Sequence, residues 1–252
     1  MQKDNYIKFI FPVFIIVLWL TATNLGNIPE TALPKLSSVK TAFVEMLKTG
    51  QLYSDLGTSI RRVLGGYIIS SILGISIGIT MGISKRIKET MLFSLTSIRQ
   101  VPMVVWIPLI ILWTGIGEIS KITVIFFAAT FPIIVNTING IDSTPENYLE
   151  LAKAYKLNKI DTFFKVYLPS ALPNIFIGLR LGLSASWMAV VAAELVASSS
   201  GIGYRLNDAR SLMKSDVVFV CMIVIGITGV LMNKIITLIA QHGTIYILIF
   251  QM

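Results

Sequence analysis

The sequence predicts an all-α, polytopic membrane protein, and three observations carry that prediction. Of 252 residues, 54% are hydrophobic and only 13% are charged, against about a quarter charged in soluble domains, and the mean hydropathy is +0.77. Apolar runs of roughly 20 residues, the length of helix that crosses about 30 Å of hydrocarbon, recur about six times, at 7–23, 63–84, 91–116, 122–140, 175–198 and 217–240. One polar island, Glu150 to Pro173, interrupts the pattern and has to lie at a membrane surface. No domain boundary is visible, so 1–252 reads as a single transmembrane domain with the island inside a loop at about 141–174.

Each element has its own signal. Lys3 and Lys8 precede the run from Phe9 to Leu20, no small-residue cleavage site closes it, and Trp19 is followed by a polar stretch, so it reads as an uncleaved first span. Residues 36–48, LSSVKTAFVEMLK, place Leu36, Val39, Phe43 and Leu47 at helical spacing, an amphipathic helix expected to pack on the outer surface of the bundle. In the second span Gly74, Gly78 and Gly82 recur every four residues, and the fifth carries Gly178, Gly182, Ser186 and Ala189. Such stripes let backbones approach where lipid supplies no hydrophobic drive between helices. Packing within the bundle is the expectation, with a dimer seam or a pore lining as alternatives.

The third span is broken by Arg99, Pro102 and Pro108. The fifth ends in the small, turn-rich segment Ala197 to Gly203. The tail Ile245 to Phe250 is too short to span.

A net charge of +8 suits a membrane surface, and no aromatic-interleaved basic patch points to nucleic acid. Basic residues divide almost evenly between the two sides. Local density, in Lys85, Arg86 and Lys88 and in the four lysines of the island, favours a cytoplasmic N-terminus, while Arg99 and Arg180 have no assigned side.

A charge at the centre of a span costs roughly 2.5–3.5 kcal/mol on insertion scales. Glu194, near the outer end of the fifth span, and Asn136, near the inner end of the fourth, are therefore candidates for a translocation pathway. The alternatives are a carboxylate that snorkels or bonds a neighbouring helix, and an interhelical hydrogen bond for Asn136. One cysteine, Cys221, and one histidine, His242, leave neither a disulfide nor a Cys/His metal cluster, and both read as structural. No glycine-rich phosphate cradle exists, the chain lacks any Gly-Lys pair, and neither H-E-x-x-H nor G-x-S-x-G occurs. A membrane enzyme is disfavoured on these grounds.

The island resembles the EAA loop of ABC importer permeases, a pattern of Glu-Ala-Ala, three residues, Gly, nine residues, Ile, one residue and Leu-Pro. Glu150-Leu151-Ala152 fills the first triplet, and Val166, Leu168 and Pro169 fill the end at matching spacing. Lys156 stands where that family has glycine; a turn through Leu157-Asn158, with Asn in the left-handed region, would serve in its place. From Thr58 to Asp216 further segments, among them RQVPMVVWIPLIILWTGIGEISKI and SWMAVVAAELVASSSGIGYRLNDAR, are similar to permeases of the nitrate, aliphatic sulfonate and taurine type.

That resemblance implies a type I ABC importer (MetI-like) permease fold in a cell membrane. It implies a second copy of the chain, two ATPase subunits that carry ATP and Mg outside this chain and dock on the two islands, and an extracytoplasmic solute-binding protein. The coupling helix would run from about Thr144 to Leu157. The solute would be small and anionic or zwitterionic, a sulfonate, taurine or nitrate. Rival readings are a permease for a thiamine-precursor pyrimidine and a secondary transporter, which would call for inverted repeats.

Overall fold

The computed structural model describes the backbone of residues 7–26 and 28–250, and the side chains of 10–26 and 28–241. Lys3, Lys8 and the side chain of His242 lie outside the described residues. All regular structure among those residues is helical. Four helices are long and apolar enough to cross a membrane: α3 (Gln51–Ile83), α6 (Glu118–Asp142), the stretch Lys159–Ala197 that contains α9 (Leu168–Ala197), and α11 (Ser215–Phe250) through Gln241. Among the described residues the expected spans are thus met by four helices, or five when α4 (Lys85–Arg99) and α5 (Met103–Thr114) are taken as one broken span. The apolar α1 (Ile7–Leu25) is shorter, and is anchored by Trp19, whose Nε1 donates to the Pro34 carbonyl at 2.9 Å while its ring meets Phe219 at 4.8 Å.

The expected third span, 91–116, is bent by 97° at Gln100–Pro102. Pro102 has no N–H to continue the helix and disfavours a helical residue before it, so the chain turns there and restarts at Met103. Pro108, inside α5, does not break it.

Helix α6 sits at the centre, with α3 on one side and α9 on the other. Gly66, Gly74, Gly78 and Gly82 of α3 face Ile125, Ile133, Thr137 and Ile141 of α6, partners that advance in step, so the two helices run parallel. The approach is close enough that a Cβ at Gly74 would lie 2.9 Å from Ile133 Cγ2. On the other side Gly178 and Gly182 meet α6 in descending order, so α9 runs antiparallel to it. The small-residue stripes are intra-bundle contacts, as expected. A further link is Ser70, whose hydroxyl lies 2.7 Å from the Gly66 carbonyl and 3.0 Å from that of Phe126 on α6.

The amphipathic α2 (Leu36–Lys48) forms, but its buried face is Val39, Ala42 and Met46, while Leu36 and Phe43 are exposed. Of the expected stripe, Val39 and Leu47 pack on the core, while Ala42 and Met46 take the place of Leu36 and Phe43. The stretch from α7 (Glu146–Ala154) through α8 (Lys159–Thr162), a wide π turn Phe163–Tyr167 and α9 replaces the expected start of the fifth span at 175. The π turn falls just before Pro169, whose missing N–H and ring clash would otherwise disturb the turn carrying the Lys165 carbonyl. The short α10 (Ile202–Ser211) follows α9 at the far end.

Candidate functional site

The sequence candidates fall at opposite ends of the bundle. At one end lies the island, at the same level as the lysine-rich start of α4, with Lys88 paired to Asp142. At the other lie Glu194 and its partners. Glu194 and Asn136 are separated by roughly 25 Å along the helix axes, so they do not form one site.

In the island, α7 ends in a glycine-type cap built without glycine. Lys156 itself takes φ +52°, its N–H bonds the Lys153 carbonyl at 3.0 Å, and the Leu157 N–H bonds that of Ala152 at 3.0 Å. This is the Schellman pattern, in which a left-handed residue satisfies the last carbonyls of a helix. The expected left-handed Asn158 is corrected: Asn158 is extended, and its side chain accepts from the Asp161 N–H at 2.7 Å to start α8. Two short helices with a tight corner at 156–158 result.

Ala152 is only 4% exposed, whereas Tyr148, Leu151 and Tyr155, spaced along one face of α7, are 50%, 52% and 78% exposed. The outward face is therefore Tyr148, Leu151 and Tyr155, while Leu149 is half-buried and Ala152 buried. These three side chains border an open groove of about 420 Å³ completed by Leu157, Lys165 and Val166. Glu150 is exposed and has no ion-pair partner among the described residues. Leu168 and Pro169, half-buried, begin α9, and Leu168 packs on the cluster of Ile141, Ala171 and Ile175, fastening the island to α6 and α9.

At the far end Arg62 of α3 is 3% exposed and all five of its N–H groups are used. Its Nε and Nη2 grip the two oxygens of Glu118 at 2.8 and 2.5 Å, Nη1 reaches Glu194 Oε1 at 2.7 Å and the Ser200 carbonyl at 2.8 Å, and Nη2 meets Ser200 Oγ at 2.9 Å. Glu194 also accepts from Ser59 Oγ at 2.9 Å and from the Gly203 N–H at 2.9 Å. The Ile202 N–H in turn donates to Ser59 Oγ at 3.0 Å. Asp55 joins through Arg205 Nε at 2.8 Å. The Ala197–Gly203 segment is small for a reason: Gly201 has φ +107°, and a Cβ there would overlap the Glu194 carboxylate.

Glu194, a pathway candidate with a bond to a neighbouring helix as its alternative, is 1% exposed and makes such bonds, to Arg62 and Ser59 of α3 and to the Gly203 N–H of α10. It ties α3, α6, α9 and α10 together. Asn136, expected to bond across helices, donates Nδ2 to the Pro132 carbonyl of its own helix at 2.8 Å, while its Cβ packs against Gly178. Sequence reasoning missed Ser59, Arg62 and Glu118. The signal was present as charges of both signs in three separate apolar helices, but Arg62 precedes the apolar run and reads there as an interfacial cation. No group of three or more His, Cys, Asp or Glu side chains converges among the described residues, and Cys221 is a buried core residue.

Residues 70–242 match the family described as binding-protein-dependent transport system inner membrane component. The aliphatic sulfonates transport permease protein of Bacillus subtilis is 37% identical over 232 residues, covering 92% of this chain and 84% of that protein. The nitrate import permease protein of Leptolyngbya laminosa is 34% identical over 191 residues, 76% of this chain and 68% of that one. Among solved structures, a chain of an amino acid ABC transporter superposes with a TM-score of 0.65 at 16% identity over 79% of this chain and 98% of that one. A chain of the inward-facing MetNI methionine ABC transporter gives 0.61 at 19% identity, over 73% and 93%. Both share the fold described above.

Proposed function

This chain belongs to the family of binding-protein-dependent transport system inner membrane components, and from that premise we propose that two copies of it form the translocation pathway of an ATP-driven importer. It is a multi-pass ABC importer permease of the sulfonate and nitrate type, a non-enzymatic transport component. Two ATPase subunits, holding ATP and Mg, dock on the two islands, and an extracytoplasmic binding protein delivers a small anionic or zwitterionic solute such as a sulfonate, taurine or nitrate. The island faces the cytoplasm with the N-terminus, and residues 1–252 act as one transmembrane domain.

The observation that carries this reading is the outward face of α7. Two tyrosines and a leucine stand exposed around a groove that the buried Ala152 also lines. An apolar face with a polar rim is what a protein partner buries. The island is also mechanically continuous with the bundle, because α8, the π turn and α9 form one helical stretch from Lys159 to Ala197. Closure of paired ATPases would press on α7 and rock these helices as rigid bodies between inward-open and outward-open states.

The test is reconstitution of the permease with its cognate ATPase and binding protein in liposomes. Uptake of a sulfonate or nitrate that requires ATP, by a complex containing two copies of this chain, is the expected result. Uptake driven by an ion gradient without ATP, or a complex with one copy beside a different permease, would overturn it. Preference for a neutral pyrimidine would move the solute class and leave the machine in place.

A further inference from the structure

Among the charged residues described in the four long helices, Arg180 and Lys234 are exposed at mid-helix without an ion-pair partner. Arg62, Glu118 and Glu194 neutralise one another, and Lys121 is buried with its Nζ on the Gly117 carbonyl at 3.0 Å. Arg61 sits at the far end, beside that cluster. Arg180 is exposed on α9, about 18 Å along the helix from Leu168 and about 26 Å from Ala197, and its guanidinium has no hydrogen-bond or ion-pair partner among the described residues. A guanidinium at such depth is tolerated where it meets water or an anion.

The surroundings are specific. Helix α11 runs antiparallel to α9: Trp187 Nε1 donates to the Ile225 carbonyl at 3.0 Å, and a Cβ at Gly229 would touch the Trp187 ring at 3.1 Å. Seven residues nearer the island, Arg180 is therefore level with Met232–Ile236. There Asn233 presents a buried Oδ1 with no donor. Arg180 lines an open groove of about 540 Å³ with Phe176, Ile177, Thr237 and Gln241, and one turn away Ser184 and Asn233 line a second hollow of the same seam. Lys234, exposed at the same depth, is two turns from both Ile227, which faces α2, and Gln241, which lines the Arg180 groove, so it stands beside that groove as a second cation.

We infer that Arg180 is an anion-binding group of the translocation pathway, set in the polar seam between α9 and α11 and used to hold the sulfonate, nitrate or carboxylate group of the passing solute. The inference rests on the reading of the chain as an importer pathway. The planar guanidinium offers paired donors to a trigonal or tetrahedral oxyanion, and the Asn233 amide is the neutral donor nearby, since the Ser184 and Thr237 hydroxyls donate to the Arg180 and Asn233 carbonyls at 3.2 and 2.7 Å.

The complete transporter in nanodiscs and liposomes, with ethanesulfonate, taurine and nitrate as probes, tests it. Wild-type ATP-dependent uptake of any of the three supports the importer reading; if none is moved, that reading of the solute class fails whatever Arg180 does. Given uptake, Arg180→Gln is expected to lower it by about tenfold or more, chiefly through a raised KM, as loss of a charge-assisted contact predicts. Arg180→Lys restores a substantial part, and Lys48→Gln, at an exposed cation of α2, leaves it unchanged. The variant must still co-purify as the full complex. Wild-type KM in Arg180→Gln overturns the inference. So does a loss seen only with anionic lipid, which would assign the group to a lipid headgroup, and so does a loss of the dimer, which would assign it to the seam between copies.

Discussion

Arg62 Nη1 meets Glu194 Oε1 at 2.7 Å in the interior of the bundle, with side chains 2% and 0% exposed. Because the pair is also bonded to Ser59, Glu118, Ser200 and Gly203, neither charge is left uncompensated. Removing one partner strands the other, a change that costs about 3–5 kcal/mol in buried pairs, whereas replacing both by apolar groups is far cheaper. Glu194→Ala and Arg62→Ala should each lower the thermal midpoint of the purified permease sharply, and the Arg62→Met, Glu194→Leu double variant should recover much of the loss. Single variants that unfold like wild type would show that the network contributes no stability.

Gly201 belongs to the same unit. Any side chain there must adopt φ +107° and displace the Glu194 carboxylate. Gly201→Ala is expected to destabilise by several kcal/mol, and to add only its backbone strain, about 1–3 kcal/mol, when combined with Glu194→Ala, since the carboxylate it disturbs is then gone. Full additivity in thermal unfolding of the double variant would separate the loop from the network.

Lys156 in the left-handed region carries a strain of about 1 kcal/mol that glycine would not. Lys156→Gly should slow amide exchange in the corner 153–162 by about fivefold. Lys156→Val, with a β-branched side chain at φ +52°, should speed it. No difference between the two would mean that the left-handed turn is not populated.

How much of this could be read from the chain follows from which features are local. The stripes of Gly74, Gly78 and Gly82 and of Gly178 and Gly182 are local patterns, and their role as contact faces for α6 followed directly. The break at Pro102 was legible for the same reason, although its 97° angle depends on how α5 docks on Val124, Ala189 and Ala193. The family-like spacing from Glu150 to Pro169 located the island. Burial of charge is a tertiary property, and this is where sequence reasoning fell short. Arg62 looks like an interfacial cation, and Glu194 looks like a pathway carboxylate, until α3 and α9 are both placed against α6. Which residues of α7 face outward is tertiary in the same way: Ala152 is buried and Leu151 exposed, although they are neighbours in sequence.

That geometry separates two substitutions in the island which spacing alone treats as equivalent. Leu151 is 52% exposed on the outer face of α7, whereas Ala152 is 4% exposed. Leu151→Asp should therefore leave the thermal midpoint of the isolated permease within error, since surface changes away from special features usually alter stability by less than about 0.5 kcal/mol. Its effect should fall on association, where a carboxylate placed in an apolar contact patch must be desolvated without a partner, lowering retention of the ATPase by about tenfold or more. Ala152→Asp should instead destabilise the permease itself, and so would give a misleading loss of docking. Tyr155→Ala, which removes a ring that is 78% exposed, should weaken ATPase retention with no change in stability. If Leu151→Asp and Tyr155→Ala both retain the ATPase and transport at wild-type levels, the outward face of α7 is not the docking surface and the island is a solvated connector.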